Sequence, residues 1–327
     1  TGGCGFIGSS FLDLLFNSNK FNLVNIDNLT YAANKEYAKV KISNYKFIKG
    51  NILSYNLINQ ILKKYKPKFI FNFAAESHVD NSITKPKIFL DTNVSGTYNI
   101  LKNIIDLKLE KKIKFIQIST DEVFGDRFKK NSSNENTVYN PSSPYSASKA
   151  AADHLVTSWS RTYGVNYNIT YSSNNFGPRQ NKEKFIPKII SNCISNKKIP
   201  IYGPGKQKRH WIYVMDNARA ILKIGTSKKV NQSYNIPGNK FISNINLAKK
   251  ICNLFNKKNV NSKNYLTLIT HVEDRKGHDK IYKLNPYKFF KNFDFRNKFS
   301  FEVGLKNTIE YYKDQKNLSH NWIFYIN

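Results

Sequence analysis

The sequence predicts an α/β protein: a Rossmann-type, doubly wound parallel sheet with a smaller, mostly C-terminal second domain. Three observations carry this. Glycines at 2, 5 and 8, in Gly2-Gly3-Cys4-Gly5-Phe6-Ile7-Gly8, run directly into the apolar helical pattern Ser9-Ser10-Phe11-Leu12-Asp13-Leu14-Leu15. A strand pattern at Asn22-Leu23-Val24-Asn25-Ile26 then ends on an acid, Asp27, 19 residues after Gly8. From there strand-like and helix-length segments alternate to about residue 172, the signature of a parallel sheet with crossover helices. The glycine spacing allows a tight turn, close approach of backbone to a pyrophosphate, and phosphates at a helix N-terminus. An acid ending the next strand holds adenosine ribose hydroxyls and repels a 2′-phosphate, which selects NAD over NADP.

Taken in order, the chain opens at Thr1 with no Met and no strand ahead of the glycines. The expectation is a chain lacking its first residues, and with them the first strand. Further strands are expected at 46–49, 69–74, 113–119 and 167–172, and helices at 53–65, 88–107 and 146–163. Beyond residue 173 the alternation loosens, with punctuation at Gly177-Pro178, Pro200 and Gly203-Pro204-Gly205. Domains are therefore expected at 1–172 and 173–327, with a helix near 215–225 and a strand at 234–236 returning to the first. Apolar spacings within 101–107 and 152–160 would support a two-helix interface, so a homodimer is expected.

The 327 residues contain no run of 18 apolar residues, which excludes a membrane-spanning helix from the sequence pattern. A net charge of +30 invites a nucleic-acid partner. The lysines are diffuse, however (Lys39, Lys63, Lys111, Lys182, Lys228, Lys298), and accompany an equally diffuse excess of Asn. That looks like a compositional bias of the source genome, so no nucleic-acid partner is expected; the basic field would still draw in a small anion. Cys4, Cys193 and Cys252 fit neither a metal spacing nor a disulfide framework. No metal is expected, and the compartment should be reducing, the cytoplasm.

The chemistry gathers at Ser119-Thr120-Asp121-Glu122-Val123-Phe124-Gly125 and, one loop later, Tyr145-Ser146-Ala147-Ser148-Lys149. Thr120, Asp121 and Glu122 follow a strand, at the edge where open α/β sheets bind ligands. Tyr145 and Lys149, four apart, share one helix face. A lysine beside a tyrosine favours the phenolate and makes it a usable base, and two adjacent carboxyls can form an acid/base pair. Taken alone, Tyr-x-x-x-Lys is more often a tyrosine on a helix face beside solvated acids. The glycine motif and Asp27 upstream favour the chemical reading.

These motifs resemble the extended short-chain dehydrogenase/reductase family, and within it the nucleotide-sugar 4,6-dehydratases. The resemblance runs nearly end to end. It includes Ile26-Asp27-Asn28-Leu29-Thr30-Tyr31-Ala32, Ala74-Ala75-Glu76-Ser77-His78-Val79-Asp80, Ser143-Pro144-Tyr145, Ser173-Asn174-Asn175-Phe176-Gly177-Pro178, Arg209-His210-Trp211-Ile212-Tyr213-Val214 and Asp274-Arg275-Lys276-Gly277-His278-Asp279. Thr-Asp-Glu is its most specific element. Epimerases of the family carry small residues at the acid pair, and related decarboxylases and GDP-mannose dehydratases usually keep only the Glu. Several positions depart from the pattern. Asn51 stands for an Asp near adenine, Asn81 for an Arg and His210 for an Asp; Phe124 and Phe176 stand for tyrosines. Arg179 and Asn181-Lys182 differ beside the expected nucleotide pocket, which puts the base specificity, not the reaction, in question.

The resemblance implies dehydration of a nucleoside-diphosphate glucose with bound NAD, thymidine being expected over uridine. Tyr145 would deprotonate O4, Lys149 would lower its pKa and hold the nicotinamide ribose, and Thr120 would relay a hydrogen bond. Glu122 would take the C5 proton and a protonated Asp121 would protonate the departing C6 hydroxyl. It also assigns Gly2, Gly5, Phe6, Ile7, Gly8, Asp27, Asn28, Thr30, Asn51, Ile52, Ala74 and Ala75 to the cofactor. Arg209 and Arg275 would meet the diphosphate and Tyr202 the base, while Ser77, Asn175, Lys184, Phe185, Asn244 and His278 complete the substrate site. His78 and Glu76 look catalytic in isolation, but a His after a strand end is more often structural. A 4-epimerase or C6 decarboxylase of the same fold remains an alternative. So does a catalytically dead regulator that binds NAD or sugar, although no residue it would need broken is broken.

Overall fold

Helix α1 (Phe6–Phe16) starts directly after Gly5, and β1 (Leu23–Asp27) pairs in parallel with β2 (Tyr45–Lys49). The computed structural model describes residues 1–16, 18, 20–128, 131–257 and 264–314. After α2 (Tyr55–Tyr65), β3 (Phe69–Asn72) begins a second set of parallel strands. Thr1 and Gly2 lie between the two sets. The Phe73 N–H donates to the Thr1 carbonyl at 3.1 Å, and the Gly2 N–H donates to the Ile26 carbonyl at 2.9 Å. Two residues thus link β1 and β3.

The single helix expected at 88–107 is instead three pieces. Helices α3 (Val79–Thr84) and α4 (Pro86–Phe89) lead into a π turn, Leu90–Ser95, and only then α5 (Gly96–Asp106). The wide turn points Asn93 inward, where its amide bonds the backbone of Glu76 in both directions and donates to Ser148 Oγ at 2.9 Å. A π turn of this kind recurs where a helix must re-aim a side chain.

Strand β4 (Lys114–Thr120) is buried along its whole length, as a central parallel strand must be. Phe115 faces α2 and α5 through Ile58, Ile61, Ile100 and Ile104. Ile116 and Ile118 face the opposite layer, with Phe11 and Leu15 of α1. A 3-10 turn (Asp121–Phe124) follows, and then α6 (Pro144–Tyr163) and β5 (Asn166–Ser172). Helix α6 starts where Ser143 and Ser146 form a reciprocal capping box with Pro144 in the first turn, and it stops at Gly164 in the left-handed region.

The rest of the chain supplies β6 (Asn174–Phe176), α7 (Phe185–Ser195), β7 (Ile199–Tyr202), β8 (Lys208–Tyr213), α8 (Val214–Thr226) and β9 (Gln232–Ile236). Strand β9 pairs in parallel with β5, so the larger set runs β3-β4-β5-β9, and α8 covers it through Ile221 and Ile224. Beyond lie β10 (Lys240–Ser243), α9 (Asn244–Asn256), β11 (Ile269–Val272), α10 (Tyr287–Asn292) and α11 (Phe301–Asp314). Helices α7, α9 and α11 enclose a separate apolar core with Trp211 and Phe176. Leu101, Ile104 and Val156, whose spacing suggested an interface, face the protein's own core instead. The outward side of α5 and α6 is aromatic: Tyr98 packs edge-on against Trp159, and Trp159 against Tyr163.

Candidate active site

Thr120, Asp121 and Glu122 leave β4 at the C-terminal edge of the sheet, and α6 brings Tyr145 and Lys149 against them. The Thr120 hydroxyl donates to Asp121 Oδ1 at 3.3 Å and also hydrogen-bonds the Tyr145 phenol. Asp121 is buried and its Oδ2 meets no hydrogen-bond partner among the described residues. Burial, then the Glu122 charge, pushes its carboxyl up to about 8, so at neutral pH Asp121 holds a proton. Burial raises Glu122 as well, but Arg209, Lys184 and Arg275 all pull it back toward ionisation. Both carboxyls are thereby raised, but the three cations oppose the rise of Glu122, whereas of these Asp121 has Arg209 alone against it.

Tyr145 departs from expectation. Burial and the Glu122 carboxylate lift its phenol well above the ordinary tyrosine range, and only the Thr120 hydrogen bond lowers it appreciably. The Lys149 ammonium is turned to the Ile118 carbonyl at 2.6 Å, and burial lowers its own pKa. In this arrangement the phenol is a proton carrier, not a standing phenolate.

The glycine loop fits a dinucleotide. Gly2 has φ +68°, and a Cβ there would stand 2.5 Å from the Ala74 nitrogen. One on Gly8 would stand 2.2 Å from the Gly2 carbonyl oxygen, whereas one on Gly5 would meet only that oxygen, at 3.3 Å. The loop is closed where it packs and open at Gly5, where a pyrophosphate would approach. Asp27 differs from the simple expectation: its oxygens accept the Cys4 and Leu29 N–H groups, each at 2.8 Å. It braces the loop, and a carboxylate keeps further lone pairs for a ribose. Asn51 Oδ1 likewise accepts the Leu53 N–H at 3.0 Å. Asn28, Thr30 and Ala75 are exposed around this cleft. The Ile52 side chain is core, against the place where Gly96 lacks a Cβ, and Ala74, Phe6 and Ile7 pack against apolar clusters.

On the far side, Lys184 donates to the Ser77 carbonyl at 2.6 Å. Arg275 pairs with Asp80 at 3.3 Å and lies over the Tyr202 ring, and His278 bonds Asp274 at 2.7 Å. Arg209 is buried, spends its guanidinium on the Lys208, Lys280 and Asp279 carbonyls and stacks on Tyr282. Its charge, aimed at the acid pair, counts more here than its free donors. Asn175 donates to the Ser173 carbonyl, and Asn244 begins α9 with its N–H on the Gln207 carbonyl. Phe185 is not gathered into this group; it stacks on Trp211 against the C-terminal core.

His78 caps α3, its Nδ1 accepting the Asn81 N–H at 3.3 Å, the structural role expected of it. Phe124 and Phe176 are core residues, so those departures from the family pattern lie away from the cleft. Arg179 also turns away from the expected pocket: it forms a buried pair with Asp13 on α1 at 2.7 Å. The sequence reading missed Asp80, Gln207, Asp274 and Asp153. Asp153, four residues after Lys149, and Asp274, four before His278, carried a local signal.

A Rossmann sheet whose strand-end Thr-Asp-Glu faces a Tyr-x-x-x-Lys helix defines an extended short-chain dehydrogenase/reductase. The family model described as GDP-mannose 4,6 dehydratase matches residues 1–308, and the chain belongs to that family of nucleotide-sugar dehydratases. It is similar to the dTDP-glucose 4,6-dehydratase of Haemophilus influenzae, with 42% identity over 95% of this chain and 96% of that one. Among solved structures it is similar to a dTDP-glucose 4,6-dehydratase from Streptomyces venezuelae with NAD and DAU bound (TM-score 0.89, 31% identity, 97% of this chain and 96% of that one). It is also similar to one from Bacillus anthracis in complex with NAD (TM-score 0.85, 36% identity, the same coverage).

Proposed function

We propose that the protein converts dTDP-glucose to dTDP-4-keto-6-deoxyglucose with NAD held in the glycine-loop cleft. The observation that carries this is the strand-end acid pair set against Tyr145 of α6: a buried Asp121 raised to about 8, beside a Glu122 whose rise three cations oppose. A C5 proton is not acidic in a hexose, so C4 must first be a ketone. NAD bound in that cleft would supply the hydride acceptor for that oxidation and the hydride for C6, which leaves the reaction redox-neutral. Tyr145 takes the O4 proton with Thr120 as its hydrogen-bond neighbour; Glu122 takes the C5 proton; Asp121 gives its proton to the C6 hydroxyl, which leaves as water. Gly2, Gly5, Gly8 and Asp27 would hold the cofactor and Lys149 its nicotinamide ribose, while Lys184, Arg209 and Arg275 offset the diphosphate charge. Arg suits that planar, bidentate geometry.

The same reading divides the chain at about residue 172, with α8 and β9 serving the cofactor domain. It makes the protein a homodimer through the aromatic outer side of α5 and α6, and places it in the cytoplasm, where its three free thiols suit a reducing medium. Among the described residues no helix is long and apolar enough to cross a membrane. The deciding experiment compares dTDP-glucose and UDP-glucose turnover and identifies the product. A 4-keto-6-deoxy sugar from dTDP-glucose is expected. A preference for UDP-glucose above about tenfold, the lower end of what one pocket methyl supplies, reverses the nucleotide assignment, and a C4 epimer as product reverses the reaction.

A further inference from the structure

One helical turn beyond Lys149 on α6 lies a carboxylate that this reaction scheme does not use. Asp153 is fully buried, on the same helix face as Lys149. Its Oδ2 accepts from Ser119 Oγ at 2.5 Å and from the Tyr139 hydroxyl at 3.3 Å, and the Tyr139 and Tyr171 hydroxyls are 2.6 Å apart. Ser119 directly precedes Thr120, and Tyr171 stands beside it in β5. One carboxylate therefore ties together β4, β5, the segment before α6, and α6 itself. Lys149 is 4% exposed and donates to a neutral carbonyl, that of Ile118. A carbonyl offers a dipole but no charge, and a buried ammonium needs a counter-charge.

We infer that Asp153 is a positioning residue for the catalytic pair: pinned by Ser119 and Tyr139 one turn beyond Lys149, its carboxylate is the counter-charge for that buried ammonium beside Tyr145. The groups facing it are Lys149 and Tyr145 on α6, Ser119 and Gln117 on β4, Tyr171 on β5, and Tyr139 from the preceding segment. Burial lifts Asp153 to about 6, while Lys149 and the Ser119 hydrogen bond hold it down. It is therefore ionised at pH 7 and above. Its negative charge raises both Lys149 and Tyr145. The inference leans on the dehydratase reading only for Tyr145 and Lys149 as the working pair.

Asp153→Asn keeps the shape and deletes the charge, so both pKa values fall. kcat should fall while KM for the sugar stays within about twofold. A second readout needs no sugar. NAD affinity, measured by calorimetry across pH, should weaken on the alkaline side at a lower pH than in the unmodified protein, because Lys149 gives up its proton earlier. Ser119→Ala leaves the carboxylate but removes a donor that favours its charge, and should show the same shift in smaller measure; it carries the test if Asp153→Asn does not fold. An NAD curve that stays in place while only its amplitude falls would make Asp153 a packing residue and overturn the inference. If the unmodified protein makes no 4-keto-6-deoxy sugar, the dehydratase reading fails and the NAD titration alone decides for Asp153.

Discussion

Asp121 and Glu122 carry the same functional group in consecutive positions, and only their surroundings separate them. Asp121 points into the protein without a partner for Oδ2; Glu122 faces three cations. The split has a consequence for stability. An unfolded aspartate ionises near pH ~4, whereas folded Asp121 holds its proton to about 8. Between those limits the native state binds the extra proton, so Asp121 costs stability progressively as pH rises through that window. Asp121→Asn should therefore melt higher than the unmodified protein at pH 8, and the gain should shrink toward pH 5. An equal gain at both pH values would mean Asp121 is already ionised. The roles separate in exchange experiments. Asp121→Asn should still exchange the C5 proton with solvent deuterium while losing most dehydration. Glu122→Gln should accumulate bound NADH and hardly exchange C5, and Tyr145→Phe should do neither, with losses of ~10²–10⁴-fold. C5 exchange at the full rate in Glu122→Gln would place the base elsewhere. The gathering of these residues was legible from Thr-Asp-Glu and Tyr-x-x-x-Lys, because strand ends and helix faces are local. The raised Tyr145 pKa was not, because it depends on how deeply the phenol is buried beside Glu122.

At the scale of elements, sequence pattern located strands well and helix interruptions badly. β4 was legible because the stretch from Lys112 to Ile118 alternates and is rich in β-branched and aromatic residues. The π turn at Leu90–Ser95 was not, because its cause is tertiary: Asn93 must reach Glu76 and Ser148, and nothing in the local sequence encodes that distance. The start of α6 is local again. Ser143 and Ser146 cap each other on either side of Tyr145, so the cap fixes where the catalytic helix begins. Ser143→Ala should lower unfolding free energy by about 1 kcal/mol, read as a lower denaturant midpoint at unchanged slope. It should also cost activity beyond that loss, because Tyr145 sits in the first turn. Activity that follows the folded fraction alone would show that the core, not the cap, sets the position of Tyr145.

Across the whole molecule, the glycine loop and the substrate side are joined by a cluster that motif reading assigned differently. Arg179, in the left-handed region at φ 69°, reaches α1 instead of the nucleotide pocket. Its guanidinium meets Asp13 Oδ2 at 2.7 Å and lies over the Tyr37 ring, and Tyr37 donates to Asp13 Oδ1 at 2.6 Å. The cluster fastens the helix that follows the cofactor loop to the segment that leads into Lys184. It also weakens the reason to question the base specificity at position 179, since that side chain is spent on packing. A buried pair broken on one side strands a charge, at a cost of ~3–5 kcal/mol, whereas replacing both partners by groups of similar shape can cost little. Arg179→Met should therefore destabilise the protein more than the double change Asp13→Asn with Arg179→Met. Burial already raises the Asp13 pKa even with Arg179 present. Without the arginine, Asp13 should take up a proton in mildly acid solution, so the single variant's deficit should narrow from pH 8 to pH 5 while the double variant's stays flat. A double variant as unstable as the single one, with the same pH dependence, would show that Asp13 draws its stability from elsewhere and that this cluster does not fasten the two sides.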